Sequence, residues 1–348
     1  MLALCGLCCH IRAPTSLSCP STRVPPPAAL LDDDPADARF AELWEEAKDA
    51  PGTPVWSARS SLDPHTAVAV CEHAGSWRSL SFVSPASHNV QSVSMVGEPR
   101  AVTLEYLKTM AALALAGSAS GSARGSSAAP RLLFLGLGAG TLPALLAHHL
   151  PAASTLHAVE YDATVAAAAA TELGLPRSVS VDVDDAAAWL RRRAASLEQQ
   201  EADGPGGYEM IFVDIFDRDN MAPRVFYSDA FLADARRCLD SSGVLVHNLH
   251  YGTDELDASF DQAAAAYASS EFADLCLVPA QRHGNVIIGA AASERTFSDS
   301  DALQAAARSE RRRLGLLFDA AGRLAPLRAV PRDRSTRGLA RRLDVAWG

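Results

Sequence analysis

The fold of this chain is decided by the stretch Leu132-Leu133-Phe134-Leu135-Gly136-Leu137-Gly138-Ala139-Gly140-Thr141. Its four leading apolar residues are typical of a buried parallel strand. Gly136, Gly138 and Gly140 follow on alternate positions, as in a tight turn where the backbone approaches a ligand closely. The segment 142–150 then has the pattern of a helix whose N-terminus points at that ligand. The stretch therefore predicts the strand, loop and helix that open a nucleotide-binding α/β domain.

A carboxylate follows this glycine loop at the end of the second predicted strand. The strand is 155–160, and its last residue, Glu160, lies about twenty residues beyond the glycines. An acid at that distance typically accepts hydrogen bonds from ribose hydroxyls, although an ordinary solvated strand-end carboxylate is the alternative. The dinucleotide fingerprint needs its third glycine at Thr141, but the extra glycine is Gly140. The spacing therefore disfavours a dehydrogenase.

Strands and helices alternate regularly after residue 131, which predicts right-handed crossovers and a mainly parallel sheet. The last two strands are joined by only a short connection, so we expect them to form an antiparallel hairpin. The predicted strands are 132–136, 155–160, 179–183, 210–214, 243–248, 273–278 and 285–290, and the predicted helices are 142–150, 163–173, 186–195, 228–240 and 255–269.

Further acidic residues stand where such a sheet presents its ligand-binding edge. Asp184 and Asp185 follow the third strand, Asp214 ends the fourth, and Asp217 lies three residues later. Either member of the first pair could instead be a helix N-cap, and Asp217 could belong to a solvated loop. Asp214 is the strongest candidate, because apolar residues immediately before it bury the strand.

The N-terminal half predicts a small antiparallel sheet. Residues 66–72 and 77–82 both alternate apolar and polar positions, and a turn at 74–76 separates them, which is typical of a β-hairpin. A third short strand at 92–96 extends it. The predicted organisation is a disordered leader or transit peptide at 1–35, a small β-domain and helix at 36–116, a flexible Gly/Ser/Ala linker at 117–130, the α/β domain at 131–292, and an Arg-rich tail with a helix at 293–348.

The leader has no acidic residue over 1–31 and several Ser, Thr and Pro residues. This composition is compatible with a plastid or mitochondrial transit peptide, and equally with a leader that targets nothing in a cytoplasmic protein. Four of the seven cysteines crowd this leader, and no second Cys/His pair completes a zinc site with Cys5 and Cys8. We therefore predict no metal site and no disulfide framework.

Bulk composition indicates an enzyme rather than a nucleic-acid or membrane protein. The 348 residues carry a net charge of −10 and the sequence pI is about 5.5, which makes nucleic acid an unlikely partner. No apolar stretch is long enough to span a membrane. The tail is rich in arginine, including 311–313, but interspersed acids favour a solvated face. Whether the chain forms a homodimer stays open.

Five motifs in this order resemble the spermidine synthase-like branch of class I S-adenosylmethionine-dependent enzymes. The resemblance covers about 60–290 and includes Gln91, Ser92 and a Glu72 before the hairpin turn. It implies a Rossmann-like α/β sheet, mainly parallel with an antiparallel last strand, and a small N-terminal β-hairpin domain. The motifs are GLGAGTLP at 136–143, VEYD at 159–162, VDDA at 183–186, FVDIFD at 212–217 and GVLVHNL at 243–249.

The resemblance also assigns roles to individual residues. It implies that the glycine loop meets the methionine end of S-adenosyl-L-methionine, that Glu160 binds the ribose, and that Asp185 binds the adenine amino group while Asp184 is a cap or faces solvent. Asp214 is implied in cofactor binding as well, and Asp214 and Asp217 would orient or deprotonate an acceptor amine, of a protein or a small molecule. Gln91 and Tyr106 are the implied substrate contacts.

Two chemistries occur in this branch, and two residues favour methyl transfer over aminopropyl transfer. Aminopropyltransferases use decarboxylated S-adenosylmethionine and normally have an Asp in the glycine loop, where this sequence has Ala139. Their Tyr-x-Glu element for the polyamine is matched here by Tyr106-Leu107-Lys108, with Lys in the Glu position. Both differences remove acceptors for cationic amines. A homologue that binds cofactor without catalysis is the third alternative.

Overall fold

The computed structural model describes residues 32–85, 87–121, 129–199, 206–217, 220–280, 284–294 and 296–330. Residues 1–31 of the leader predicted at 1–35, half of the predicted linker (122–128) and the last eighteen residues of the predicted tail, from 331 onward, lie outside these ranges. The four leader cysteines lie outside them as well. In the part of the chain that the structure describes, no helix has the length and apolarity needed to cross a membrane.

The small N-terminal sheet has four antiparallel strands in the order β1-β2-β3-β4. The predicted hairpin is β2 and β3, and its turn contains Gly75 with a φ of 72°. The predicted third strand is β4, which begins earlier than expected. The first strand was not predicted, because its exposed faces carry no apolar alternation. The strands are β1 (Thr53–Arg59), β2 (Ala67–Glu72), β3 (Trp77–Ser84) and β4 (Ser87–Met95).

The large sheet confirms the predicted fold class. Its order is β12-β10-β11-β9-β8-β5-β6-β7, and the pairs from β9 to β7 are parallel. Strand β11 lies antiparallel between β9 and β10, which gives the predicted antiparallel ending. The strands are β5 (Arg131–Leu135), β6 (Thr155–Glu160), β7 (Val179–Val183), β8 (Tyr208–Val213), β9 (Leu239–His250), β10 (Asp274–Pro279), β11 (Asn285–Ala291) and β12 (Arg328–Ala329).

Helices cover both faces of this sheet, as alternating strand residues require. Leu132 and Phe134 of β5 face one apolar layer, and Leu133 and Leu135 face the other. The helices are α1 (Pro35–Lys48), α2 (Glu105–Gly121), α3 (Thr141–His149), α4 (Ala163–Thr171), α5 (Ala186–Glu198), α6 (Asp229–Cys238), α7 (Asp254–Ser269), α8 (Ser300–Leu314) and α9 (Ala320–Leu324).

Helix α2 corrects one predicted boundary. We grouped this helix with the small β-domain and ended it at residue 116, but it continues to Gly121 and packs on β9, β11 and α8 of the large sheet. Its alanines and leucines up to residue 116 are buried, and the backbone stays helical beyond them through a Gly/Ser/Ala segment that carries no apolar pattern. Residues 117–121 of the predicted linker are therefore helical.

The small sheet is fastened to the glycine loop and the turn after α4 by side-chain hydrogen bonds. Ser92 Oγ accepts from the N–H of Ala139 at 2.8 Å, and Thr141 Oγ1 donates to the Val93 carbonyl at 2.8 Å. Ser94 Oγ donates to the Leu173 carbonyl, also at 2.8 Å. Strand β4 is thereby held above the carboxyl ends of the parallel strands, where open α/β sheets form their ligand crevice.

Candidate active site

A cavity of about 450 Å³ lies at the carboxyl ends of β5, β6, β7 and β8, under strand β4. Its volume is that of a typical small-molecule site. Three of the five residues of the glycine loop that opens it have positive φ angles. The walls are largely apolar, and their large apolar side chains include Leu80, Phe82, Phe134, Phe212, Phe216 and Phe226.

The first loop glycine is required by a close backbone approach. Gly136 has a φ of +89°, and a Cβ built there would lie 2.3 Å from the Asp214 carbonyl oxygen. No other residue type fits at that distance without moving the end of β8. Gly140, with a φ of +76°, is the N-cap of α3 and faces Leu175. The predicted strand, loop and helix are therefore present, and the loop lies between the ends of β5 and β8.

Glu160 ends β6 and holds the loop in place. Its Oε2 accepts from the Leu137 N–H and its Oε1 from the Asp162 N–H, each at 3.0 Å. Burial raises the pKa of this carboxyl, and N–H groups of Asp162, Leu137 and Gly138 oppose the rise. The carboxylate also lines the cavity. Its unused lone pairs can therefore still accept from a ligand hydroxyl.

The structure decides which of the two adjacent acids caps α5. The sequence allowed either acid as the cap, and Asp185 is the N-cap, with its Oδ1 accepting from the Ala188 N–H at 2.7 Å. Asp184 accepts from the Asp185 N–H and pairs with Arg192 on the helix surface. Asp185 still lines the cavity, as predicted, and Asp184 does not.

Asp214 lies at the centre of a polar chain at the floor of the cavity. Its Oδ2 accepts from the Tyr106 hydroxyl at 3.3 Å, and its Oδ1 accepts from Asn248 Nδ2 at 2.9 Å. Asn285 Nδ2 donates in turn to Asn248 Oδ1 at 3.0 Å. Burial raises the pKa of the Asp214 carboxyl, and the donors Asn248 and Tyr106 lower it.

Two members of this chain received no role from the sequence. Asn248 occurs in the quoted motif GVLVHNL, and Asn285 begins the otherwise apolar strand β11. Both side chains are almost fully buried. A buried amide within an apolar strand is the signal that could have identified them, because such a group needs a specific hydrogen-bond partner.

Gln91 reaches the cavity through an irregularity in β4. The pairing of β3 with β4 shifts between Leu80 and Ser81, which pair with Ser92 and Val90, so that Gln91 is the extra residue. A bulge of this kind redirects a side chain, and bulges are common beside active sites. Gln91 and Tyr106, both predicted as substrate contacts, line the cavity together.

Two predicted features lie elsewhere. Asp217 is exposed, and its Oδ1 accepts from the Met221 N–H at 3.0 Å across a loop turn, so it does not line the cavity. Lys108 is fully buried beneath α1 and pairs with Asp37 at 2.6 Å. Because Lys108 points away from the cavity, its difference from the Tyr-x-Glu element carries no information about a polyamine pocket.

The charge of the cavity is uniformly negative in the part of the chain that the structure describes. Its lining residues include the carboxylates of Glu160, Asp162, Asp185 and Asp214, and no Lys, Arg or His. His247, in the same motif as Asn248, faces Tyr267 on the other side of β9, and burial lowers its pKa to about 3. Among the described residues, no group of His, Cys, Asp and Glu could hold a metal ion.

Solved structures share this architecture. A probable spermidine synthase from Corynebacterium glutamicum aligns with a TM-score of 0.57 at 20% identity, over 84% of this chain and 94% of that one. The fold is that of the spermidine synthase-like branch of class I methyltransferases. Human methyltransferase-like protein 13, solved in complex with SAH, aligns with a TM-score of 0.52 at 22% identity over 61% of this chain and 92% of that one.

Sequence comparison adds one curated relative. The chain is 32% identical to a polyamine aminopropyltransferase from Vibrio vulnificus over 141 residues, which are 40% of this chain and 42% of the relative. The match therefore spans about two fifths of that protein. No protein-family model matches the chain.

Proposed function

We propose that this chain is an S-adenosyl-L-methionine-dependent methyltransferase whose acceptor is an amine. The observation that carries the proposal is the cavity itself, where a glycine loop meets the four carboxylates of Glu160, Asp162, Asp185 and Asp214, with no Lys, Arg or His among the described lining residues. Carboxylates in a partly apolar cavity favour a ligand that brings its own positive charge. A sulfonium nucleoside and an ammonium acceptor both have that property.

The residues present fit such a cofactor. Gly136 lacks the Cβ that would collide with the Asp214 carbonyl, so the loop backbone can lie against the end of β8. Glu160 keeps lone pairs for ribose hydroxyls. Asp185 uses its Oδ1 as the cap of α5, which leaves its Oδ2 for the adenine amino group. When bound, S-adenosyl-L-methionine supplies an electrophilic methyl group on sulfur.

Positioning and proton transfer are the tasks left to the protein. Methyl transfer would need a neutral amine in line with the sulfur–methyl bond; that bond would break as the carbon–nitrogen bond forms, the sulfur would leave as a neutral thioether, and the methylated nitrogen would lose one proton. Asp214 is the residue we assign to orient the amine and accept that proton, since its raised pKa makes it a stronger base than an ordinary Asp. Tyr106 and Gln91 flank the approach. Asp217, exposed and outside the cavity, loses the role that the resemblance implied.

Ala139 is the residue that favours methyl transfer over aminopropyl transfer. It is buried in the loop and its N–H is already bound by Ser92, so this position offers no carboxylate to a free aminopropyl ammonium group. The intact cofactor has a carboxylate beside that ammonium and depends less on such a partner.

Polyamine aminopropyl transfer, with decarboxylated S-adenosylmethionine, is the second candidate. The carboxylate-lined cavity favours it, because a doubly charged cofactor and a polyamine gain most from negative walls. The aminopropyltransferase relative supports it as well. Lys108 no longer argues against it, since that side chain is buried away from the cavity.

Product analysis on one purified sample separates these alternatives. We expect label from methyl-labelled cofactor on a protein or small amine of a cell extract, and no spermidine from putrescine with the decarboxylated cofactor. Asp214→Asn should lower the rate about 10²–10⁴-fold, whereas Asp217→Asn, the control at a neighbouring carboxylate, should retain it. Spermidine formation at an enzyme-like rate would replace methyl transfer by aminopropyl transfer. Cofactor binding without either product would indicate a non-catalytic homologue.

A further inference from the structure

A chain of four polar side chains runs from the cavity into the sheet. Tyr106 and Asn248 donate to the two oxygens of Asp214, and Asn285 donates to Asn248. Asn248 lies on β9, and Asn285 is the first residue of the neighbouring antiparallel strand β11. The chain therefore connects the cavity to a residue that does not itself line it.

The direction of each hydrogen bond follows from the carboxylate at one end. An ionised Asp214 can only accept, so Asn248 must turn its NH₂ group toward it. The oxygen of the Asn248 amide then faces Asn285, which must donate to it. If the Asn248 amide turned over, its oxygen would face the Asp214 carboxylate, which is favourable only when Asp214 holds a proton.

In the described part of the chain, the side chain of Asn285 has one hydrogen bond, its donation to Asn248. Asn285 is 3% exposed, and the residues that follow it on β11 are Val286, Ile287 and Ile288. An apolar side chain would fill this position without the cost of burying a polar group. The hydrogen bond to Asn248 is what the amide contributes.

We propose that Asn285 is a positioning residue that fixes the amide orientation of Asn248 and thereby keeps Asp214 an ionised carboxylate aimed at the cavity. Tyr106 of α2 is the titratable group in contact with Asp214, while the cavity's other carboxylates, Glu160, Asp162 and Asp185, lie toward β6 and β7. The consequence for catalysis rests on the proposed function, but the effect on Asp214 does not.

The test is a ¹³C titration of the Asp214 carboxyl in the protein without ligand, with the signal assigned by its loss in Asp214→Asn. Asn285→Leu keeps the number and branching of the side-chain heavy atoms and removes the hydrogen-bond donor, so the Asn248 amide is free to turn. The Asp214 titration should then move to higher pH by about half a unit or more, because a donor to the charged form is lost. Asn248→Leu should move it further in the same direction, and Asn89→Leu, at an exposed Asn of β4, should leave it unchanged.

An Asp214 titration equal to that of the wild type in Asn285→Leu would overturn the proposal, and so would an unchanged titration in Asn248→Leu. If Asn285→Leu fails to fold, the Asp214 titration is measured in Asn285→Ser instead. A shift to higher pH supports the proposal, and an unchanged titration overturns it. The kinetic counterpart is measured separately: under the proposed function, the acid limb of the rate against pH moves to higher pH in Asn285→Leu while the cofactor Kd stays constant. A protein that transfers no group at all would remove that counterpart and leave the titration result standing.

Discussion

The first turn of helix α2 faces buried carboxylates on two sides, and the two groups differ in whether basic side chains of the chain pair with them. On one side, Glu105 and Lys108 join Asp37 and Arg323 in a cluster in which every acid has a basic partner from the chain. On the other side, Tyr106 faces Asp214, and the cavity carboxylates have no basic partner among the described lining residues. The difference separates carboxylates whose charge the chain compensates from carboxylates whose charge the described lining residues leave uncompensated.

The energetic consequence of this difference is direct. In the cluster, the charges compensate one another, so the fold depends on keeping all of them. In the cavity, amides, a phenol and backbone N–H groups only moderate the charge. Burial raises the pKa of Asp214 and Glu160, and it raises the pKa of Asp37 in the cluster as well, so the two sides differ in the presence of a basic partner and not in the direction of the pKa shift. A cationic ligand would stabilise the ionised forms of the cavity carboxylates, which is why we propose the cavity, and not the cluster, as the binding site.

The largest effect should come from removing a fully buried cation of the cluster. Lys108→Met removes the nearest cation of Asp37 and leaves that carboxylate only Arg323 at 3.9 Å, which should lower the free energy of unfolding by about 3–5 kcal/mol. Lys48→Met is the matched control, because Lys48 pairs with Glu45 on the surface and its loss should cost less than about 1 kcal/mol. Chemical denaturation measures both, and equal losses would mean that the cluster is not the structural side of the comparison.

A smaller effect is expected where the cavity depends on Glu160. Glu160→Ala removes a charge-assisted acceptor, so the affinity for S-adenosylhomocysteine should fall by about 1.5–3 kcal/mol in calorimetry. Asp182→Ala, at an exposed strand-end acid of the neighbouring strand β7, provides the control and should bind as the wild type does. Unchanged affinity in Glu160→Ala would exclude Glu160 from ribose binding.

The smallest effect should separate two adjacent acids. Asp185→Asn should weaken cofactor binding more than Asp184→Asn does, because Asp185 lines the cavity and Asp184 pairs with Arg192 outside it. Asn is itself a good N-cap, so the substitution changes the charge and spares α5. Each affinity is measured by calorimetry, and the reverse ranking would mean that Asp184 is the acid nearer the ligand.

The sequence predicted well those elements that a local pattern of residues determines. The apolar run before Gly136 and the acid that ends 155–160 each depend on a few consecutive residues, and the structure has both elements at the predicted positions. The parallel strand ends then brought Asp185 and Asp214 to one edge, as sheet topology requires.

What the sequence did not predict depends on contacts between distant segments. Lys108 has the sequence position of a substrate residue, and only the packing of α1 shows that it faces Asp37 instead. Asn285 lies more than seventy positions after Asp214 in the sequence, and it connects to Asp214 only through the side chain of Asn248. Two further elements were missed for a different reason. The exposure of strand β1 and the Gly/Ser composition of the last turn of α2 conceal the apolar periodicity on which such predictions depend.

We propose the cavity as a site for a sulfonium nucleoside, and calorimetric titration of the full chain with S-adenosyl-L-methionine measures this binding. We expect saturable binding of one molecule per chain, with higher affinity than for decarboxylated S-adenosylmethionine. Absence of saturable binding for both compounds, in a sample that unfolds cooperatively on heating, would rule out such a site.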